Sequence, residues 1–386
     1  MVNYAFLSAF PPTESAVAAY CAALISHLDD PAAGEYCGVV PVVDGSQPRS
    51  TQDRAVRLVP GEPFGALRAA NALNRFDIAI IQVDEGLYGG LDGEDILEVL
   101  AGIAIPVIAV LHTVPTAPAP HRRFVVQRVM DAAAAVVVLS RSAARALLDV
   151  YPVSAGRVTV IPHGAVMGGP ARPVGAGSGR RTILTWGLLG PHKGIEWAIA
   201  ALAQLRDLHP LPHYRVVGRT DARVLSQYGE SYRDFLHERA RSSRMTDIVA
   251  FDAEYQEFGT LVSMVHNADL VLLPYDSPQQ LVSGVLSEAV AARRPVVATD
   301  FPYARELLAG GAGLVIPRRD PEAMAHAVRR VLTEPHLAEA MTARCADLAR
   351  VLDWRAVADN YRALVMGVLS AAPGYRGRTS GPGPRP

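Results

Sequence analysis

Residues 274–299, PYDSPQQLVSGVLSEAVAARRPVVAT, restrict the folds open to this chain more than any other stretch. They begin where the apolar run Leu270-Val271-Leu272-Leu273 stops, and a short unbroken apolar run suits a strand buried on both faces. Turn-forming residues continue to Gln280. From Ser283-Gly284 onward, Val285, Leu286, Ala289 and Val290 recur at helical spacing, which predicts a helix ending near Arg293. Pro295-Val296-Val297-Ala298-Thr299 then forms the next buried strand. Strand, loop, helix, strand is the crossover unit of a parallel sheet. The free N–H groups at its helix start suit a phosphate.

The same alternation runs through the chain. Strands are expected at 4–7, 77–82, 106–111, 135–139 and 158–161, with helices at 14–27, 94–101, 121–133 and 141–148 between them. A Gly/Pro/Ala-rich segment, 168–180, cannot hold a core and is expected to be a linker. Strands resume at 182–186, 214–217, 248–251, 270–273, 296–298 and 314–316. A chain of 386 residues exceeds one ordinary core, so the expectation is an α/β protein of two doubly wound domains, 1–167 and 181–354, facing across a cleft. A further helix is expected at 355–370. The Gly/Pro/Arg-rich tail, 371–386, is expected to be disordered.

Composition narrows the function. A formal net charge of −1 leaves no electrostatic footprint for nucleic acid. No run reaches about 18 uninterrupted apolar residues, so no spanning helix is expected. The first ten residues look like a buried strand rather than a leader peptide. Cys21, Cys37 and Cys345 lack metal-like spacing and fit a reduced, cytoplasmic protein. There is neither an Asp-x-Asp loop nor a histidine pair at ligand spacing, so no metal is expected.

A second motif is Trp186-Gly187-Leu188-Leu189-Gly190-Pro191-His192-Lys193-Gly194, placed after a strand and before a helix. Its glycines allow close backbone approach to an anion, and Lys193 supplies a point charge for a diphosphate.

Together the two motifs resemble those of retaining GT-B glycosyltransferases of the group 1, family 4-like type, over nearly the whole chain. The resemblance implies two Rossmann-like domains with the last helix crossing back onto the first. It also implies a nucleotide-sugar donor with UDP or GDP, an acceptor hydroxyl of unknown identity and no bound cofactor. Glu288 takes the place of the second glutamate of the family's paired-glutamate signature and would hold the ribose. Ser283, Gly284 and Val285 lie where backbone meets the diphosphate. Gly187, Gly190 and Lys193 match the family's Gly-x5-Lys-Gly loop. Three positions depart: Gln280 replaces the first glutamate, Leu188 replaces an arginine for which Arg219 is the candidate substitute, and Arg293 replaces a helix-ending glycine.

In the first domain the candidates lie at strand ends. They are the loop Pro11-Pro12-Thr13-Glu14-Ser15; Tyr88, in a loop that also carries Asp84 and Glu85; His112, where relatives have a histidine lining the donor sugar; and His163 before the linker. Adjacent Asp84 and Glu85 point to opposite faces, which discounts a glycosidase pair. A dinucleotide fingerprint has little support, since Gly175-Ala176-Gly177 sits in the linker rather than after a strand and the turn Ala9-Phe10-Pro11-Pro12-Thr13 contains no glycine. His121-Arg122-Arg123, followed by Phe124, could make peripheral membrane contact, but an ordinary amphipathic surface helix of this fold is the favoured reading. Two further alternatives stand: a degenerate GT-B protein that binds without catalysis, and a phosphorylase, which would need pyridoxal phosphate on a lysine.

Overall fold

The computed structural model describes residues 1–43, 56–166, 179–254 and 256–372. Most of the expected linker and all but the first two residues of the expected tail lie outside them. Two compact units result: Met1–Gly164 with the chain from Trp354 onward, and Ala165–Asp353. Ala165 and Val166 go with the second unit because the Ala165 N–H bonds to the Leu352 carbonyl at 2.7 Å.

The first unit holds strands β1 (Val2–Ser8), β2 (Glu35–Pro41), β3 (Ile78–Val83), β4 (Val107–Leu111), β5 (Ala135–Val138) and β6 (Val158–Val160). Every pairing is parallel, in the order β2-β1-β3-β4-β5-β6. All residues of β3, β4 and β5 are buried, as expected when helices cover both faces. β2 was not among the expected strands. Edge strand EYCGVVP is half-exposed, contains Gly38 and ends in proline, so it has no buried apolar run to reveal it. The helix Trp354–Ala371 packs on the helix Ala16–Leu28, where the Tyr361 and Tyr20 hydroxyls meet at 2.9 Å and Arg362 pairs with Glu35 at 2.8 Å.

The second unit holds β7 (Thr182–Trp186), β8 (His213–Val217), β9 (Val249–Asp252), β10 (Leu270–Leu273), β11 (Val296–Thr299) and β12 (Gly313–Ile316). These too are all parallel, in the order β12-β11-β10-β7-β8-β9. Successive side chains serve opposite faces: Ile183 and Leu272 join one apolar cluster, Leu184 and Leu273 the other. Strand order reverses between β7 and β10. In an open α/β sheet that switch point is where a ligand can enter beyond the carboxyl ends of the strands.

The helix Gly284–Ala291 starts at Ser283, whose hydroxyl accepts from the Leu286 N–H at 3.2 Å. It ends in a Schellman turn, with Arg293 N–H bonded to the Val290 carbonyl and Arg294 N–H to the Ala289 carbonyl. Arg293 occupies the left-handed position at φ 56°. A side chain there costs about 1 kcal/mol relative to glycine. Arg293→Gly is therefore expected to raise thermal stability by about that amount. An unchanged or lower melting temperature would show that the arginine's contacts outweigh the strain.

Candidate functional site

In the second unit, the two sequence motifs emerge from neighbouring strands at the switch point. The chain leaving β7 turns at Gly187, φ 117°, and its carbonyl presses on Gly218 so closely that a Cβ there would sit 2.1 Å from the oxygen. Gly190 is extended and precedes a turn over Pro191–Lys193, closed by Lys193 N–H to the Gly190 carbonyl at 2.9 Å. Gly194 follows at φ 63°, where a Cβ would lie 2.1 Å from the Pro274 carbonyl oxygen. Only glycine lets the Lys193 loop rest on the chain leaving β10. A backbone bond from Asp276 N–H to the His192 carbonyl, 2.8 Å, completes the seam.

Lys193 Nζ stands 4.4 Å from the centroid of the Tyr275 ring, which is 1% exposed and stacks on Phe301. The ammonium thus rests on a fixed aromatic face, an attraction of about 1–2 kcal/mol. Asp276 is held by Arg319, Nε to Oδ2 at 2.6 Å, and lies 3.5 Å from Arg318.

Glu288 lies one turn into the helix that follows β10. Its Oε2 accepts from the Trp186 indole N–H at 3.2 Å, linking this helix to the end of β7. Burial pushes its carboxyl up to about 7, while the indole bond pulls the other way. The side chain lines a recess of about 320 Å³, open mouth included, with Val166, Leu261, Val265, His266 and Ala292 among its other walls. His266 Nε2 is buried there without a hydrogen-bond partner, and burial lowers its pKa.

In the first unit, His112 follows β4 and places Nε2 2.7 Å from Oε1 of Gln82, a fully buried side chain on β3. Its ring meets Tyr20 edge-on at 4.8 Å. His163 meets the same ring at 5.1 Å and bonds through Nδ1 to the Gly164 carbonyl at 2.7 Å. Burial pushes both histidines down to about 4, so both are neutral near pH 7. Asp84 accepts from the Thr113 hydroxyl at 2.7 Å, joining the loops after β3 and β4.

Family models divide the chain between them: "Glycosyltransferase Family 4" matches residues 23–166 and "Glycosyl transferases group 1" matches residues 172–346. Each half of the chain thus matches a glycosyltransferase family, the second half the group 1 glycosyltransferases. It is 28% identical to D-inositol 3-phosphate glycosyltransferase of Kineococcus radiotolerans over 63% of this chain and 59% of that protein. It is 31% identical to glycogen synthase of Mycobacterium tuberculosis over 47% of this chain and 41% of that one. The matched region therefore spans about half the length of these relatives. Among solved structures, sucrose-phosphate synthase from Thermosynechococcus elongatus superposes with TM-score 0.74 at 18% identity, covering 96% of this chain and all of that one. HepE from Anabaena, solved with UDP and glucose, superposes with TM-score 0.70 at 16% identity, covering 95% and 100%. These likenesses establish the GT-B fold.

On that fold, the other expected site residues have these surroundings. Tyr88, expected to reach substrate, is 6% exposed and donates its hydroxyl to the Gln82 carbonyl at 2.7 Å, so it braces a loop. The Ser283 hydroxyl is committed to its helix cap, leaving the backbone N–H groups of Gly284 and Val285 as what that helix start offers. Gln280 turns its amide back onto the Val282 carbonyl at 3.2 Å. Arg219 is half-buried, and its carbonyl accepts from Leu189 N–H at 2.9 Å, tying the Lys193 loop to the end of β8. Trp186, Tyr275, His266 and Gln82 were not assigned roles from sequence. Only Trp186, inside the glycine motif, carried any signal.

Proposed function

We propose that this glycosyltransferase moves a hexosyl group from a nucleotide sugar to an acceptor hydroxyl with retention of anomeric configuration, without a metal or other cofactor. The observation that carries this reading is the bond from Trp186 to Glu288. It puts the lysine loop and the glutamate helix, far apart in sequence, at one switch point. UDP is the first donor base to test, because HepE was solved with UDP and with UDP-glucose. Three free thiols fit a cytoplasmic setting. Among the described residues no helix is long and apolar enough to cross a membrane.

Each residue then has a task. Glu288 accepts hydrogen bonds from the ribose hydroxyls. The Gly284 and Val285 N–H groups and the Lys193 ammonium stabilise the charge that grows on the diphosphate as its bond to the sugar carbon breaks. Well-placed donors of this kind contribute about 3–4 kcal/mol each. The acceptor oxygen bonds to that carbon on the face the diphosphate leaves, and its proton passes to a phosphate oxygen. No protein nucleophile takes part.

The alternative, a protein that binds sugar nucleotides without transfer, gains support from Gln280, whose amide is occupied within its own loop. Hydrolysis across a panel of UDP-, GDP- and ADP-sugars separates the two. Turnover with one donor supports transfer, and binding without turnover supports the alternative. Gln280→Glu restores a charge beside the sugar and is expected to raise turnover or change donor preference. If Gln280→Glu and Gln280→Ala both leave rates and preference untouched, Gln280 has no part in the site.

A further inference from the structure

An indole nitrogen donates and never accepts, so the direction of the Trp186–Glu288 bond is fixed by chemistry. Trp186 ends β7, is 3% exposed, and packs in one apolar cluster with Val217, Tyr275 and Leu286. Its ring is packed among these side chains with Nε1 3.2 Å from Glu288 Oε2. One carboxylate oxygen is thereby engaged and the other is left for a ligand in the recess. We propose that Trp186 is a positioning residue for nucleotide recognition: its indole N–H fixes the Glu288 side chain and holds the carboxyl in the ionised form that accepts from hydroxyl donors. This rests on the reading of Glu288 as the ribose-binding carboxylate.

The physical basis is a contest between two effects on one carboxyl. Burial favours the protonated form, and a hydrogen bond donated to the carboxylate favours the charged one. The surroundings offer little other help. From the helix Phe258–Asn267, His266 lines the same recess, and burial together with Arg294 lowers its pKa. From the helix Pro335–Leu352, which packs on the Glu288 helix, Cys345 lies in the shared apolar cluster with its thiol pushed up to about 12. β11 contributes only apolar side chains and Thr299, whose hydroxyl donates to the Tyr275 carbonyl. The indole is the one group named here that favours the anion.

The intact protein supplies the first test. It has three tryptophans, Trp186, Trp197 and Trp354, so its ¹H–¹⁵N spectrum holds three indole signals, and Trp186→Phe identifies one by its loss. Between about pH 5.5 and about pH 8.5 that signal is expected to titrate with a midpoint near 7 and to stay flat in Glu288→Gln. A flat Trp186 signal in the unsubstituted protein overturns the proposal.

The second test is UDP-glucose affinity in Trp186→Phe, which keeps the ring and removes the N–H. We expect binding about fivefold weaker near pH 7 and about tenfold weaker well below it, with the loss shrinking as pH rises toward about 9, because a rise of about one pKa unit cuts the ionised fraction by those factors. A loss of equal size at every pH means packing alone and overturns the proposal. Unchanged UDP-glucose affinity in Glu288→Gln would instead remove the ribose-binding reading on which it rests.

Discussion

Lys193→Ala is expected to lower turnover of the preferred nucleotide sugar by about 10²-fold or more while the protein stays folded. The side chain is half-buried at the surface end of the sheet and fills no core cluster, so its removal leaves no cavity. What is lost is a positive charge held on the Tyr275 face, at the end of the strand beside the glutamate helix. Because the charge is in place before the diphosphate departs, no reorganisation is needed when negative charge develops. The effect should therefore fall on kcat more than on KM. Lys193→Arg should rescue poorly, because a planar fork does not reproduce a point charge above a ring. The check is kcat with saturating donor, alongside circular dichroism. A folded alanine variant with the original rate would remove Lys193 from the reaction.

Glu288→Gln is expected to weaken nucleotide-sugar binding by about 1–3 kcal/mol and to abolish its acid limb. The carboxyl is pushed up to about 7 from an ordinary value of 4.5, so the folded protein still binds this proton at pH values where an exposed glutamate has lost it. A ligand that needs the carboxylate competes with that proton. Affinity should rise with pH up to about 7 and level off above it. A nucleotide sugar is a suitable probe, since its diphosphate is a diester without the titrating phosphate group of a free terminus.

Stability should move the opposite way. A carboxyl whose pKa is raised by folding stabilises the folded state only while protonated in it. That contribution is lost as pH rises from about 4.5 through about 7. Above pH 7 the buried carboxylate is a liability that glutamine removes. Glu288→Gln should therefore melt higher than the unsubstituted protein at alkaline pH while binding donor more weakly. A variant with unchanged affinity and unchanged pH profile would place the carboxylate away from the ligand.

The sequence alone determined the parts that depend on local pattern. Short apolar runs such as Val107–Leu111 and Leu270–Leu273 specify strands covered on both faces, and helical spacing between them requires parallel crossovers. The Gly-x5-Lys-Gly loop and the Glu288 helix were legible because glycines, a lysine and a glutamate at those spacings suit a diphosphate. Arg293, which the structure places in the left-handed region, was visible in the sequence as a departure from a helix-ending glycine. The edge strand Glu35–Pro41 was not legible, since a strand half in solvent has no need of an apolar run.

Lateral order was decided only by the tertiary structure. Periodicity states which face of a strand is buried and is silent on which strand lies beside it. Nothing in residues 182–186 announces that β7 pairs with β10 as well as with β8. That adjacency brings the Trp186 N–H to Glu288 and the Tyr275 ring beneath Lys193. The same holds in the first unit, where β3 beside β4 sets Gln82 against His112 and turns Tyr88 inward to its own strand. Contacts of this kind are made by side chains from distant segments. They exist only after the sheets have assembled, because buried polar groups take whatever partner the packed neighbours supply.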